Sequence, residues 1–271
     1  MTLISNIHTH STFCDGHDTP EALVQTALDK GMIALGFSGH SYTPFDSYTG
    51  MTPEIVTLYR AEIRRLQRVY ADRISIFLGI EQDLDSDLDD LDWDYRIGSV
   101  HFMKHGSSYS PIDISAAKLQ EMLDTWYDGQ ILPMVEEYCS RVLGMLDTMH
   151  PDIIGHFDLY RKFNDKLHYL DETDARYQDL VRDTLQTLVR KGALLEVNLG
   201  GMANGYTHEP YPSVTLLRFL QQEKARLIIT TDCHRAPHLD YHYHETVKLL
   251  QQLGFPSMVV MGRNGFEEVP L

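Results

Sequence analysis

An alternation of strand-like and helix-like segments constrains this chain most. Short β-rich apolar runs recur along its 271 residues, each followed by a helical pattern. LISNIH (3–8), IALGFSGH (33–40), ISIFLGIE (74–81), YRIGSVHFM (95–103), IIGHFD (153–158), ALLEVNL (193–199) and RLIITTD (226–232) read as strands, with SMVVMG (257–262) as a further one. Helical patterns occupy 19–31, 53–72, 115–127, 131–149, 173–191, 213–223 and 240–253. The first has Thr19 to cap it, Pro20 at its first position and Gly31 to stop it. Strands separated by helices imply a parallel sheet with crossover connections. Seven or eight such units imply a closed, TIM-like (β/α) barrel. A doubly wound open sheet is the other arrangement, but its G-x-G-x-x-G turn is missing after the first strand. There is no fixed-period repeat and no Ser/Gly/Pro-rich linker, so a single domain over 1–271 is expected.

The first strand-to-helix turn carries NIHTHSTFCDG (6–16) instead. Side chains at i and i+2 of an extended segment point the same way, so His8 and His10 project together. Paired imidazoles do little for packing and suit a divalent metal. They could equally be ordinary residues at a strand end, and the rest of the chain has to decide.

Composition narrows the choice. The formal charge of −16 argues against a nucleic-acid surface and would repel an anionic substrate unless cations masked it. Three divalent ions would offset six of those charges. No basic, long-apolar signal segment opens the chain, and no apolar run is long enough to span a bilayer. The three cysteines, Cys14, Cys139 and Cys233, fit reduced thiols in the cytoplasm, where this protein is expected to reside. Cys14 and Cys233 neighbour the acidic and histidine residues but read as small apolar filler.

The ends of the expected strands collect nine chemically capable groups. They are His8, His10 and Asp15 after the first, His40 after the second, Glu81, His101 and His156 at the third to fifth, and Asp232 and His234 at the seventh. The sixth ends in Asn198, with no strong ligand. Barrel sites lie at the C-terminal ends of strands, so these groups should converge. Each has an ordinary structural reading by itself. Burying all nine without cations would be heavily penalised by desolvation and repulsion. With one bridging carboxylate they suit two or three metals.

HTHSTFCDG, GFSGHS (36–41), GIE (79–81), GSVHF (98–102), IGHFD (154–158) and TDCH (231–234) together resemble the PHP (polymerase and histidinol phosphatase) family, nearly end to end. Cys-Asp-Gly after His-x-His and the SVHFMKHGSSYSPIDIS segment (99–115) look most like its histidinol-phosphatase branch. The resemblance implies a distorted (β/α)7 barrel with a trinuclear metal centre, and its His and carboxylate ligands accept Zn, Fe, Mn or Co. It implies His8, His10, Glu81 and Asp232 on one metal. Glu81 would bridge to a second metal held by His101 and His156, with Asp15, His40 and His234 on a third. Asp15 also separates this branch from a looser-specificity one that has His there. Gly39 stands where relatives often carry Asp, which leaves His40 less constrained.

Such a centre suits phosphomonoester hydrolysis, in which a metal-activated hydroxide attacks phosphorus. The expected substrate is L-histidinol phosphate, in histidine biosynthesis. Another small ester or a nucleotide is the alternative. An amide- or lactone-cleaving enzyme would leave Asp15, His40 and His234 without a purpose, and a dead module would have lost ligands. Asp232 or His234 is expected to pass a proton to the leaving group, and Arg161 to clamp the phosphate with its forked donors. Arg235 is the second clamp candidate and His208 a third. For the amine and imidazole, Asp113 and Tyr109 on one loop and Tyr42, Phe45 and Tyr48 on another are candidates. No heptad or sticky stripe is visible, so a monomer is expected.

Overall fold

The computed structural model describes residues 4–46, 49–87 and 91–271. In chain order its elements begin with β1 Ser5–Asn6, α1 Pro20–Asp29, β2 Ala34–Phe37, α2 Pro53–Val69, β3 Ser75–Asp83 and β4 Tyr95–Ser99. A hairpin of β5 Phe102–His105 and β6 Ser108–Pro111 comes next, then α3 Ala116–Trp126, α4 Ile131–Met149 and β7 Ile153–Ile154. The rest are α5 Asn164–Leu167, α6 Ala175–Arg190, β8 Leu194–Asn198, α7 Gly200–Ala203, α8 Val214–Gln222, β9 Arg226–Thr230, α9 Tyr243–Leu253, β10 Ser257–Gly262 and β11 Gly265–Pro270.

The sheet runs β1-β2-β3-β4-β7-β8-β9-β10-β11. Its first seven strands pair in parallel, and β10 continues in parallel through Val259 opposite Ile228. The sheet curls until its ends meet. Beyond β1 and β9, Thr9 pairs in parallel with Cys233, with His10 N–H donating to the Cys233 carbonyl at 2.8 Å and Cys233 N–H to that of His8 at 2.9 Å. Lower down, Met261 N–H donates to Ser5 Oγ at 3.1 Å. The result is the distorted TIM-like barrel expected from the alternation.

Period-two alternation explains what faces where. Leu195 and Val197 pack outward against the helices, whereas Leu194 points into the barrel with Ile7, Ile97 and Ile228. Tyr95 fills the centre, its hydroxyl within reach of the Ile7 and Phe37 carbonyls. The sequence makes room for it: a Cβ on Gly79 would lie 2.2 Å from the Tyr95 ring. α1 closes as read, with Thr19 Oγ1 accepting from Ala22 N–H and Gly31 at φ +68°.

Three features depart from the sequence reading. The strand expected over 95–103 ends at Ser99, because His101 gives its N–H to Asp83 Oδ2 at 2.8 Å and its carbonyl to Ile112 at 2.9 Å. Phe102 then starts an antiparallel hairpin. The fifth strand keeps only Ile153–Ile154 in the ladder, and β11 adds an antiparallel edge beside β10. Among the described residues, no helix is long and apolar enough to cross a membrane.

Candidate metal centre

His8 and His10 leave β1 on either side of the Thr9 seam, ring centroids 5.2 Å apart. The chain then folds back sharply. Cys14 and Gly16 N–H groups both donate to the Ser11 carbonyl, at 2.9 and 3.1 Å. A Cβ at Gly16 would sit 2.4 Å from Ser11 N, so only glycine permits this turn. The fold-back swings Asp15 over His10, Oδ1 to Nδ1 3.4 Å. That is the structural content of Cys-Asp-Gly.

Glu81 lies at the middle of the site. Its Oε1 is 2.8 Å from His156 Nε2 and 3.4 Å from His101 Nε2. Its Oε2 is 3.0 Å from His40 Nδ1, 3.2 Å from His8 Nε2 and 3.4 Å from His10 Nε2. One buried carboxylate thus faces five imidazoles. Asp232 Oδ1 lies 3.1 Å from His10 Nε2 and 3.5 Å from His8 Nε2. Asp15 Oδ2 lies 3.3 Å from His234 Nε2 and 3.6 Å from His40 Nε2. Three groups have ligand atoms close enough to share an ion: His8, His10 and Asp232; His40, Glu81 and His101; His10, Asp15, His40 and His234. His156 adjoins the second through Glu81. All nine residues singled out in the sequence are therefore together.

Whether cations suit this constellation can be read from its unsatisfied atoms. His8 Nε2, His10 Nε2, Asp15 Oδ1 and Glu81 Oε2 are buried and make no hydrogen bond among the described residues. Buried polar atoms are normally paired, and these four are of metal-ligating types, with Glu81 Oε2 facing both His8 Nε2 and His10 Nε2. The donor set of imidazole and carboxylate fits divalent ions such as zinc, iron or manganese.

Electrostatics agree. Burial favours a neutral His8, yet Asp232, Glu196 and Glu81 hold its pKa well above the usual value. Burial opposes it too, but Glu81 and Asp83 push His101 up to about 10. Burial likewise opposes ionisation of Glu81, which the imidazoles of His8, His40 and His101 hold well below the usual carboxylate range. The cluster therefore favours positive charge at its centre, which metal ions would supply.

A second ring of groups escaped the sequence reading. Glu196, midway along β8 and fully buried, lies 2.6 Å from His8 Nδ1. It also accepts from His156 N–H at 2.7 Å, Thr230 Oγ1 at 2.6 Å and Asn198 Nδ2 at 3.0 Å. The signal was present, since Glu196 is two residues before Asn198 in an otherwise apolar run and shares its inward side. Asp83 holds His101 similarly, Oδ2 to Nδ1 3.3 Å. His234 gives Nδ1–H to the Asp232 carbonyl at 2.9 Å, which turns Nε2 toward Asp15. Asp232 itself has φ +46°, a strained value for a residue with a Cβ. A Cβ at Gly200 would come within 2.8 Å of the Asp232 Cβ.

A cavity of about 300 Å3 opens beside the cluster, lined by Asp15, His17, Leu159, Lys162, Gly200, Gly201, Asn204, Tyr206, Tyr211, Asp232, His234 and Arg235. Arg235 lines this cavity, and Arg161 does not. Arg161 is 3% exposed and its guanidinium is held by Glu172 at 2.9 Å and Asp158 at 3.2 Å. In the tight turn over Leu159–Arg161 its side chain points into the wall, and the next residue, Lys162, takes the place at the cavity. Arg161, expected as the phosphate clamp, is thus occupied by acidic partners within the wall. His208 is also elsewhere, 76% exposed and paired with Asp165. Asp113 pairs with Lys162 at 3.2 Å. Tyr42 is half-buried after His40 and outside the cavity lining. Phe45 and Tyr109 stack at 3.6 Å, with Phe102 edge-on to Phe45. Tyr48 lies outside the described residues. Cys233 is fully buried, its thiol donating to the Arg235 carbonyl, as filler beside the site.

Comparison with known proteins places this geometry. The chain is 28% identical to a "Probable histidinol-phosphatase" of Deinococcus radiodurans, over 94% of this chain and 95% of that one. It is 28% identical to the histidinol-phosphatase of Bacillus subtilis, over 87% and 95%. The crystal structure of histidinol phosphate phosphatase from Lactococcus lactis, complexed with zinc, L-histidinol and phosphate, superposes with a TM-score of 0.71 at 22% identity. It covers 97% of this chain and 98% of that one. Residues 6–200 match the PHP domain, and the chain belongs to that family.

Proposed function

We propose that this protein is a metal-dependent phosphomonoesterase that releases phosphate from L-histidinol phosphate in the cytoplasm, acting as a single-domain monomer. The observation that carries the reading is Glu81 among five imidazoles, with unsatisfied ligand atoms around it and a cavity alongside. Relatives named histidinol-phosphatase over nearly the whole chain supply the substrate.

His8, His10, Glu81 and Asp232 would hold one ion, Glu81 with His101 and His156 a second, and Asp15, His40 and His234 a third. Bound divalent ions there neutralise the phosphate dianion and lower the pKa of a coordinated water. The chain's own residues do the rest. Glu196 and Asp83 fix His8 and His101 in orientation. Arg235 and Lys162 bring positive charge to the cavity that receives the ester. Asp232 or His234, which border that cavity, would relay to the leaving alkoxide the proton that the attacking water gives up.

The test is phosphate release by metal-loaded protein from L-histidinol phosphate, an aryl phosphate and a dinucleotide, with metal content measured on the same sample. A preference for histidinol phosphate of about a hundredfold or more in kcat/KM, with close to three ions per chain, is expected. Equal turnover of all three esters would remove the substrate assignment.

A further inference from the structure

Lys162, in the cavity wall, belongs to a charge pair that the metal centre does not use. Lys162 Nζ lies 3.2 Å from Asp113 Oδ2, and the side chains are 19% and 22% exposed. The ammonium also sits 4.8 Å over the Tyr206 ring, itself part of the cavity wall. Lys162 and Asp232 line the same cavity, and Asp113 is close enough to His101 and His156 for their charge to act on it. Through Lys162 the pair reaches the cavity wall, and its Asp113 partner is only partly exposed beside it.

A pair of this kind selects by charge pattern. Breaking it for a ligand that carries one charge leaves the other partner unmatched, which is unfavourable where water is scarce. A ligand carrying both charges replaces both contacts at once. We infer that Asp113 and Lys162 form a resident ion pair that the substrate replaces, its ammonium going to Asp113 and its phosphate to Lys162. This rests on the phosphatase reading above and deepens it. The class selected is a phosphomonoester with an ammonium a few bonds from the phosphate, and amine-free esters are rejected.

The experiment compares L-histidinol phosphate with 3-(imidazol-4-yl)propyl phosphate, the same ester without its amine, by kcat/KM at pH 7. Calorimetric binding of the two product alcohols to metal-loaded, phosphate-saturated protein is measured in parallel. The amine should favour both turnover and binding by roughly tenfold to a hundredfold, since sites built to pair a polar group penalise its absence. Asp113→Asn should reduce that ratio to about threefold or less. Lys162→Met should weaken phosphate binding yet raise the ratio, because Asp113 is then left without its partner. A merely structural pair would lower both esters together and leave the ratio alone. Metal content and melting temperature of each variant are recorded, so that a misfolded Asp113→Asn leaves the decision to Lys162→Met and the wild type. A wild-type ratio near one, or a ratio unmoved in both variants, overturns the inference. Release of phosphate from neither ester would instead overturn the phosphatase reading, and the calorimetric ratio would still decide the ion pair.

Discussion

Glu196 Oε1 and His8 Nδ1 are 2.6 Å apart in the barrel interior, and neither side chain is exposed. The carboxylate fixes an imidazole proton on Nδ1 and leaves Nε2, which points toward Asp232 and Glu81, as the atom available to a metal ion. Glu196→Gln keeps the volume but can offer its amide N–H where His8 needs an acceptor. Divalent-metal affinity is expected to fall about 10–100-fold. A competitive chelator titration checks this, and an affinity within twofold of wild type would show that Glu196 does not orient His8.

Metal-free and metal-loaded protein should respond to pH in opposite directions. Without metal, the raised pKa of His101, about 10, means that its contribution to stability is full below its unfolded value near 6.5 and is lost as pH rises toward 10. His8 and His40 act in the same sense, each raised against its own burial. Glu81 and Asp232, held low by imidazoles despite burial, add stability that is lost as pH falls below about 4. Metal binding needs neutral imidazoles, so loading should release protons and strengthen with pH. Melting curves at pH 6 and 9, with and without a chelator, read both effects. Parallel shifts in the two samples would contradict the cluster electrostatics.

Tyr95 and Gly79 test the barrel interior. Gly79→Ala puts a methyl where the ring lies, 2.2 Å from its nearest carbon. A loss of about 3 kcal/mol is expected from such overpacking. In a Tyr95→Leu background the same change should cost much less, because the clashing ring has gone. Urea unfolding of the four-protein cycle measures the coupling, and additive losses would disprove the contact.

Arg161 should prove to be a structural residue. Arg161→Met leaves Asp158 and Glu172 without their cation, and Asp158 is fully buried. Removing one partner of a buried pair costs about 3–5 kcal/mol, so a marked drop in melting temperature is expected. KM for the ester at a temperature where the variant stays folded should change by less than threefold. A tenfold rise in KM with normal stability would return the phosphate clamp to Arg161.

The sequence made some features of this molecule plain and hid others. His8, His10, His40 and Glu81 were legible because strand ends in a parallel barrel all open on one face, whatever the loops do. Asp15 was legible too, although the turn that delivers it depends on Gly16 approaching the Ser11 backbone. Arg161 and Lys162 were not separable, since a one-residue rotation in a tight turn decides which faces the cavity. Glu196 was overlooked as one charge inside an apolar run. The hairpin over Phe102–Pro111 was hidden because its first half continues the apolar pattern of β4. The edge strand β11 alternates only weakly between half-buried and exposed positions.

The seam between Thr9 and Cys233 also sets an order in time. His8 and His10 leave the ribosome well before Asp232, with which they converge and which follows more than two hundred residues later. At ordinary synthesis rates that interval is roughly 10–40 s. Until it has passed, the two imidazoles have no Asp232 to meet, and a chain cut short before β9 lacks both the seam and that carboxylate.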